Sequence, residues 1–123
     1  MGQFVLWQRV EGGLVLAAGL ALFWQADGGW PWWLAIPVFF APDLSFLAYA
    51  FGPRAGAIGY NLVHVYGFGL VLFAGGLAFS VPVLTVCGAL FVAHAGFDRM
   101  LGYGLKSPEG FALTHLGRIG KGA

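Results

Sequence analysis

Four long apolar runs, separated by short glycine- and proline-bearing joints, make up most of this chain. They extend from Val10 to Gln25, from Trp30 to Phe51, from Arg54 to Phe79 and from Val81 to about Tyr103. A membrane-crossing helix needs about 20 residues, at about 1.5 Å of rise each, to traverse about 30 Å of hydrocarbon. The last three runs reach that length, and the first does so if Phe4 to Trp7 extend it at the interface. Helices are therefore expected over about 6–26, 30–51, 54–79 and 81–103. The joints Gly28-Gly29, Gly52-Pro53 and Ser80-Val81-Pro82 are short, which makes consecutive helices antiparallel neighbours. The predicted fold is all-α: an integral membrane four-helix up-down bundle within residues 1–106, followed by a glycine-rich interfacial C-terminal tail over 107–123.

Six polar side chains interrupt these apolar runs: Glu11, Asp43, Asn61, His64, His94 and Asp98. An ionisable group at the centre of a membrane helix costs roughly 2.5–3.5 kcal/mol on insertion scales, so such groups are rare and usually face the bundle interior. Counted from the end of each helix that carries the basic residues, Asp43, Asn61, His64, His94 and Asp98 lie at depths of about 8–15 Å. Glu11 is shallower. His94 and Asp98 are four residues apart and Asn61 and His64 three apart, so each pair shares one helix face. With those faces and Asp43 turned inward, one polar cavity opens toward that end.

Composition agrees with lipid as the surrounding solvent. Of 123 residues, 59% are hydrophobic and 9% charged, against about 25% charged in a soluble domain. The net charge of +1 gives no reason to expect a nucleic-acid partner. The single cysteine, Cys87, has no disulfide partner and lies in an apolar run, where it reads as a small packing residue. No small-x-small cleavage site follows the first run, so it is read as a mature helix rather than a signal peptide.

The placement of positive charge sets the expected orientation. Arg9 precedes the first apolar run, Arg54 lies in the second joint, and Arg99, Lys106, Arg118 and Lys121 lie at or after the end of the fourth helix. The other two joints have no lysine or arginine. All basic residues thus fall on one side, which the positive-inside rule makes the cytoplasm, with both termini there and the protein in the inner membrane as a multi-pass chain. Trp24, Trp30, Trp32 and Trp33 then form an outer aromatic belt and Trp7 marks the inner interface. Pro37 and Pro42 interrupt the second helix, and Pro42 frees the Val38 carbonyl just before Asp43. Small residues such as Gly52, Gly56 and Gly59 read as helix-packing positions.

Two imidazoles with carboxylates suit a divalent metal with open coordination positions: zinc to activate water, or iron to activate oxygen. Asp43, His64 and His94 are the candidate metal ligands. Asp98 or Glu11 would orient them or act as general base, and Asn61 would hold a ligand or substrate. Other readings of the same residues stay open. His94 and Asp98 could share a hydrogen bond without a metal. Two histidines on different helices could clamp a haem. A chain of Asp, His and Glu could relay protons in a transporter or channel component. Structural roles also fit: Asp98 paired with Arg54 or Arg99, Arg99 reaching headgroups, Glu11 favouring the helix dipole. The tail carries Tyr103, Phe111, Leu113, Leu116 and Ile119 among glycines and basic residues. It is expected to lie on the lipid surface, or to cover the cavity with His115 or Arg118 reaching in. Membrane lipid is the expected partner, with a homo-oligomer as an option.

Several of these residues also carry a resemblance. His94-Ala-Gly-Phe-Asp98-Arg99, Gly102-Tyr-Gly-Leu-Lys106 and Thr114-His115-Leu-Gly-Arg118-Ile-Gly120 resemble the ending of a bacterial family of small membrane proteins, domain of unknown function family 4260. The pair Pro42-Asp43, the stretch Tyr60-Asn61-x-x-His64 and the early Glu11-Gly12 are similar to that family as well. The resemblance implies a four-helix membrane architecture and assigns no activity and no catalytic residue. The function expected from the residues is that of a small membrane protein with a polar, metal-binding cavity on the cytoplasmic side, read as an enzyme acting on a lipidic or apolar substrate.

Overall fold

A computed structural model describes residues 2–26 and 29–119. Its elements in chain order are α1 (Gly2–Ala26), α2 (Trp32–Phe40), a 3₁₀ segment (Ala41–Phe51), α3 (Pro53–His64), α4 (Tyr66–Ala78), α5 (Pro82–Leu101), and three short strands, β1 (Lys106–Ser107), β2 (Gly110–Thr114) and β3 (Gly117–Arg118). The protein is mostly helical. Three stretches are long and apolar enough to cross a membrane: Gly2–Ala26, Trp32–Phe51 and Pro82–Leu101. The pair α3–α4 makes a fourth if it counts as one span.

α5 is the central helix. Of its most apolar stretch 67% is buried, against 11% in each of the first two spans. It lies between α1 and α4, with α2 against it as well. Glycine makes the two main contacts close. A Cβ on Gly96 would stand 2.5 Å from the Leu16 nitrogen and 2.6 Å from the Gly12 oxygen, so α1 and α5 touch backbone to backbone. Gly69, Gly76 and Gly88 do the same between α4 and α5. Such contacts drive association where lipid leaves no hydrophobic gain between helices. Arg9 Nε donates to the Met100 carbonyl at 2.9 Å, joining the start of α1 to the end of α5.

Two departures from regular helix shape the interior. Pro42 has no N–H to offer Val38, and the Ala41 N–H takes that carbonyl instead, tightening the chain into 3₁₀ turns from Ala41 onward. Asp43 sits in the first of these turns. The run expected as a single helix over 54–79 is two helices bent by 48° at Val65. No proline marks the break. Val65 is extended, and the His64 carbonyl receives the Arg99 guanidinium at 2.7 Å rather than a helical N–H. A side chain inserted into the i→i−4 ladder is a recognised cause of a kink. Arg99 is thus 3% exposed and does not reach the headgroups, contrary to the sequence expectation.

The tail also differs from an all-α description, because residues 106–118 form an antiparallel sheet in the order β1-β2-β3. Gly102 takes the left-handed conformation (φ 94°), and the Tyr103 N–H returns to the Asp98 carbonyl at 2.8 Å. This glycine cap ends α5 and turns the chain back over α3. Lys121 and the end of the tail lie outside the described residues.

Candidate metal centre

Three elements converge on one point. The 3₁₀ segment brings Asp43, α3 brings His64, and α5 brings His94 and Asp98 on one face. One nitrogen or oxygen from each of the four lies within 4.8 Å of all the others. Asp43 Oδ1 is 3.2 Å from His64 Nε2 and 3.1 Å from His94 Nε2. Asp98 Oδ2 is 3.4 Å and 3.5 Å from the same two nitrogens. The imidazoles are fully enclosed, whereas the Asp43 side chain is 37% exposed and Asp98 10%, so the cluster opens on its carboxylate side.

The protonation of His64 can be deduced from its partners. Its Nδ1 lies 2.7 Å from the Tyr60 carbonyl, which can only accept, so Nδ1 carries the proton. In the neutral imidazole Nε2 then presents a lone pair. That lone pair is directed at two carboxylate oxygens, which also only accept when ionised. Three acceptors around one point are compatible only with a cation between them: a proton shared in the cluster or a metal ion. The four His–Asp separations are 3.1–3.5 Å, close to the spacing of about 3.3–3.4 Å between neighbouring donors that lie about 2.0–2.1 Å from one metal, and the His–His and Asp–Asp pairs lie within 4.8 Å. His94 differs from His64 in that its Nδ1 is buried without a partner among the described residues.

Aromatic rings and a hydroxyl pack directly on this cluster. Tyr60, one turn before His64, stacks on its ring (centroids 3.7 Å apart, planes within 9°). Its hydroxyl donates to Asp98 Oδ2 at 3.1 Å. Phe39 and Phe40 pack edge-on to His94. The His64 and His94 rings themselves are 5.2 Å apart and edge to face, with both Nε2 atoms turned to the same carboxylates.

Of the six polar residues singled out in the sequence, four meet here. Asn61 does not. Its Nδ2 donates to the Lys106 carbonyl at 2.8 Å and its Oδ1 accepts the Lys106 N–H at 2.6 Å, so the amide is spent tethering β1 to α3. Glu11 lies exposed on α1, apart from the cluster. His115 and Arg118 do not reach in either. His115 Nδ1 accepts the Leu105 N–H at 2.8 Å within the tail, and Arg118 is exposed on β3. Partial burial, and then the Arg99 charge, hold the His115 imidazole below its usual range.

The tail contributes a different residue. Lys106 is 5% exposed, and its ammonium lies 3.9 Å from the centre of the Phe111 ring and 5.2 Å from that of Tyr60. Burial holds this amine below the usual lysine range, against partial support from Asp98. A cavity of about 180 Å³ lies between Lys106, the two carboxylates, Tyr60, Phe46 and Phe111. Tyr60 had a legible signal, since it stands four residues before His64 on the same helix face. Lys106 had none, because only the Gly102 turn and the Asn61 tether bring it back.

The fold and the site define a mostly helical protein, with three helices long and apolar enough to cross a membrane and a His₂Asp₂ cluster at the meeting of three elements. The chain belongs to the family described as domain of unknown function (DUF4260), whose model matches residues 5–119. No curated protein and no solved structure matches it.

Proposed function

We propose that this protein is a metal-dependent membrane enzyme acting on a lipidic substrate. In this reading four spans form an up-down bundle in the inner membrane, with α3–α4 as one bent span and both termini in the cytoplasm. The one-sided placement of the basic residues supports that orientation, and the Arg9–Met100 hydrogen bond supports the start of α1 and the end of α5 lying at the same end of the bundle. His64, His94 and Asp43 hold a divalent ion, zinc or iron. Asp98, steadied by the Tyr60 hydroxyl, stands beside the same two imidazole nitrogens and would orient the ligands or serve as general base. Zinc would supply water activation at neutral pH, and iron an open site for oxygen.

One observation carries the reading: the His64 Nε2 lone pair is pinned toward two carboxylates at metal-ligand spacing. A haem clamp is disfavoured by the same geometry, since the edge-to-face imidazoles at 5.2 Å leave no slot for a porphyrin plate. A transport path is disfavoured by the apolar outer halves of the helices.

Elemental analysis of purified protein tests the proposal. About one zinc or iron per chain is expected, lost in both His94→Ala and Asp43→Asn. Folded wild-type protein that takes up neither metal on titration would overturn it.

A further inference from the structure

Lys106 is a buried cation that Asp98 supports only from beyond ion-pair distance. Among the described residues its ammonium has no ion pair and no hydrogen bond, only the faces of Phe111 and Tyr60. Aromatic faces attract a cation, but burying one without a counter-charge is costly. Asp43 and Asp98 are near, yet they are turned toward the two histidines. With both carboxylates ionised, a divalent ion makes the His₂Asp₂ set neutral and leaves Lys106 as one uncompensated positive charge. The cavity between Lys106 and the cluster, about 180 Å³, equals the liquid volume of about six waters at about 30 Å³ each. It has room for a carboxylate or phosphate head.

The wall of this cavity continues into an apolar groove. Phe46 and Phe111 line both the cavity and a neighbouring open groove of about 420 Å³ completed by Tyr49. Both phenylalanines are exposed at their outer edges, 39% and 46%. A chamber lined by a cation, two carboxylates and aromatic rings therefore adjoins an open aromatic groove. The shape and charge together call for a ligand with one anionic end and one apolar chain.

We propose that the cavity binds a single-chain amphiphile by its oxyanion head, with Lys106 as the counter-charge and the Phe46–Tyr49–Phe111 groove holding the first part of the chain. The head lies between the Lys106 ammonium and the metal centre, so this inference rests on the metal-site reading and specifies its substrate class. The neutral cluster and the lone lysine favour a head carrying one negative charge. Phe111 acts twice, as the face beneath the ammonium and as the wall of the groove.

The test uses the full-length protein in a maltoside micelle, loaded with zinc or iron, and reads apparent affinity from the rise in melting temperature with added ligand. Dodecanoate, dodecanol, acetate and inorganic phosphate are compared. Dodecanoate is expected to bind at least tenfold more tightly than dodecanol, and the soluble anions more weakly than dodecanoate. Lys106→Met should remove the preference for dodecanoate over dodecanol, Lys106→Arg should keep it, and Phe111→Ala should weaken dodecanoate more than acetate. Equal affinity of wild type for dodecanoate and dodecanol overturns the proposal, and that comparison needs no variant to fold. Phosphate or acetate binding as tightly as dodecanoate also overturns it, in favour of a site for soluble anions. Metal content measured on the same samples separates the two readings. Metal uptake without dodecanoate preference sinks only the amphiphile, whereas a Lys106-dependent preference in protein that takes up no metal sinks the metal centre and leaves Lys106 as the anion site.

Discussion

The Tyr60 backbone carbonyl accepts the His64 Nδ1–H at 2.7 Å while the Tyr60 ring lies on the His64 imidazole at 3.7 Å. One residue thus sets the tautomer, the tilt and the position of the next histidine along the same helix. The Tyr60 hydroxyl reaches on to Asp98, so it also places a carboxylate opposite that histidine. Tyr60→Phe keeps the carbonyl and the stack and removes only the hydroxyl. We expect the metal to remain bound, with affinity reduced about tenfold, the lower range for loss of an outer partner of a ligand. Competition against a chelator measures it, and unchanged affinity would count against the role given to Asp98.

Removing a bound metal should destabilise the fold itself. Without a cation, the His64 lone pair faces two carboxylates inside a largely enclosed site, and like-charged or acceptor groups brought together in low dielectric repel strongly. Chelator treatment is expected to lower the melting temperature of wild type and to leave His94→Ala, which has no metal to lose, almost unchanged. Identical melting of treated and untreated wild type, with metal shown to be present at the outset, contradicts this.

Arg99 joins three segments through two hydrogen bonds. It donates to the His64 carbonyl at 2.7 Å and to the Tyr103 carbonyl at 3.1 Å, and lies over the Tyr66 ring. Arg99→Met leaves the bent end of α3 without a donor. A loss of about 2–3 kcal/mol is expected, in the range for a buried hydrogen bond to a charged group. Reversible unfolding in denaturing detergent reads it. Arg99→Lys should recover little, since one ammonium cannot reproduce the fork that spans both carbonyls.

Close helix contact predicts an intolerant position at Gly96. An added methyl would meet the Leu16 and Gly12 backbone, and backbone cannot turn aside as a side chain can. Gly96→Ala is expected to cost about 3 kcal/mol, the upper range for overpacking. Gly75→Ala is the control, because a Cβ there meets nothing within 4 Å. Equal effects of the two in the same unfolding assay would mean that α1 and α5 are not packed in this way.

The tail should loosen in acid. His115 accepts the Leu105 N–H through Nδ1, which needs the neutral ring, and its folded pKa lies below the ordinary value. A group whose folded pKa is depressed in this direction for a base is protonated more readily in the unfolded chain. Its contribution is therefore present above about pH 6.5, the ordinary histidine value, and is lost as pH falls through the lowered folded value. Exchange of the Leu105 amide should accelerate over that interval in wild type, whereas His115→Ala should show fast exchange at every pH. A flat wild-type profile across it rules out the histidine as the clasp.

The apolar runs, and the polar residues inside them, were readable because a membrane permits so few alternatives. About 20 apolar residues in succession have one economical conformation in lipid, and each buried charge stands out against them. Asp43, His64, His94 and Asp98 could be singled out on that ground alone, and the i, i+4 spacing put two of them on one face. The same argument also singled out Asn61 and Glu11, which stand outside the His₂Asp₂ group. Depth along a helix says nothing of the direction a side chain faces, and Asn61 faces the tail. The bend at Val65 was hidden because its cause, Arg99, stands 34 residues further along the chain.

What the sequence determined by itself is the apolar character and the inventory: helices long and apolar enough to cross a membrane, and a small set of metal-competent side chains that stand out within them. What only the tertiary structure decided is which of them share a point, and what closes over it. Pro42 tightens a turn to aim Asp43, Tyr60 pins one nitrogen of His64, and a glycine cap carries Lys106 back over the cluster. Each of these is a contact between residues distant in the chain or an orientation within a turn. Local hydropathy is a sum over neighbours in sequence, so it has no access to either.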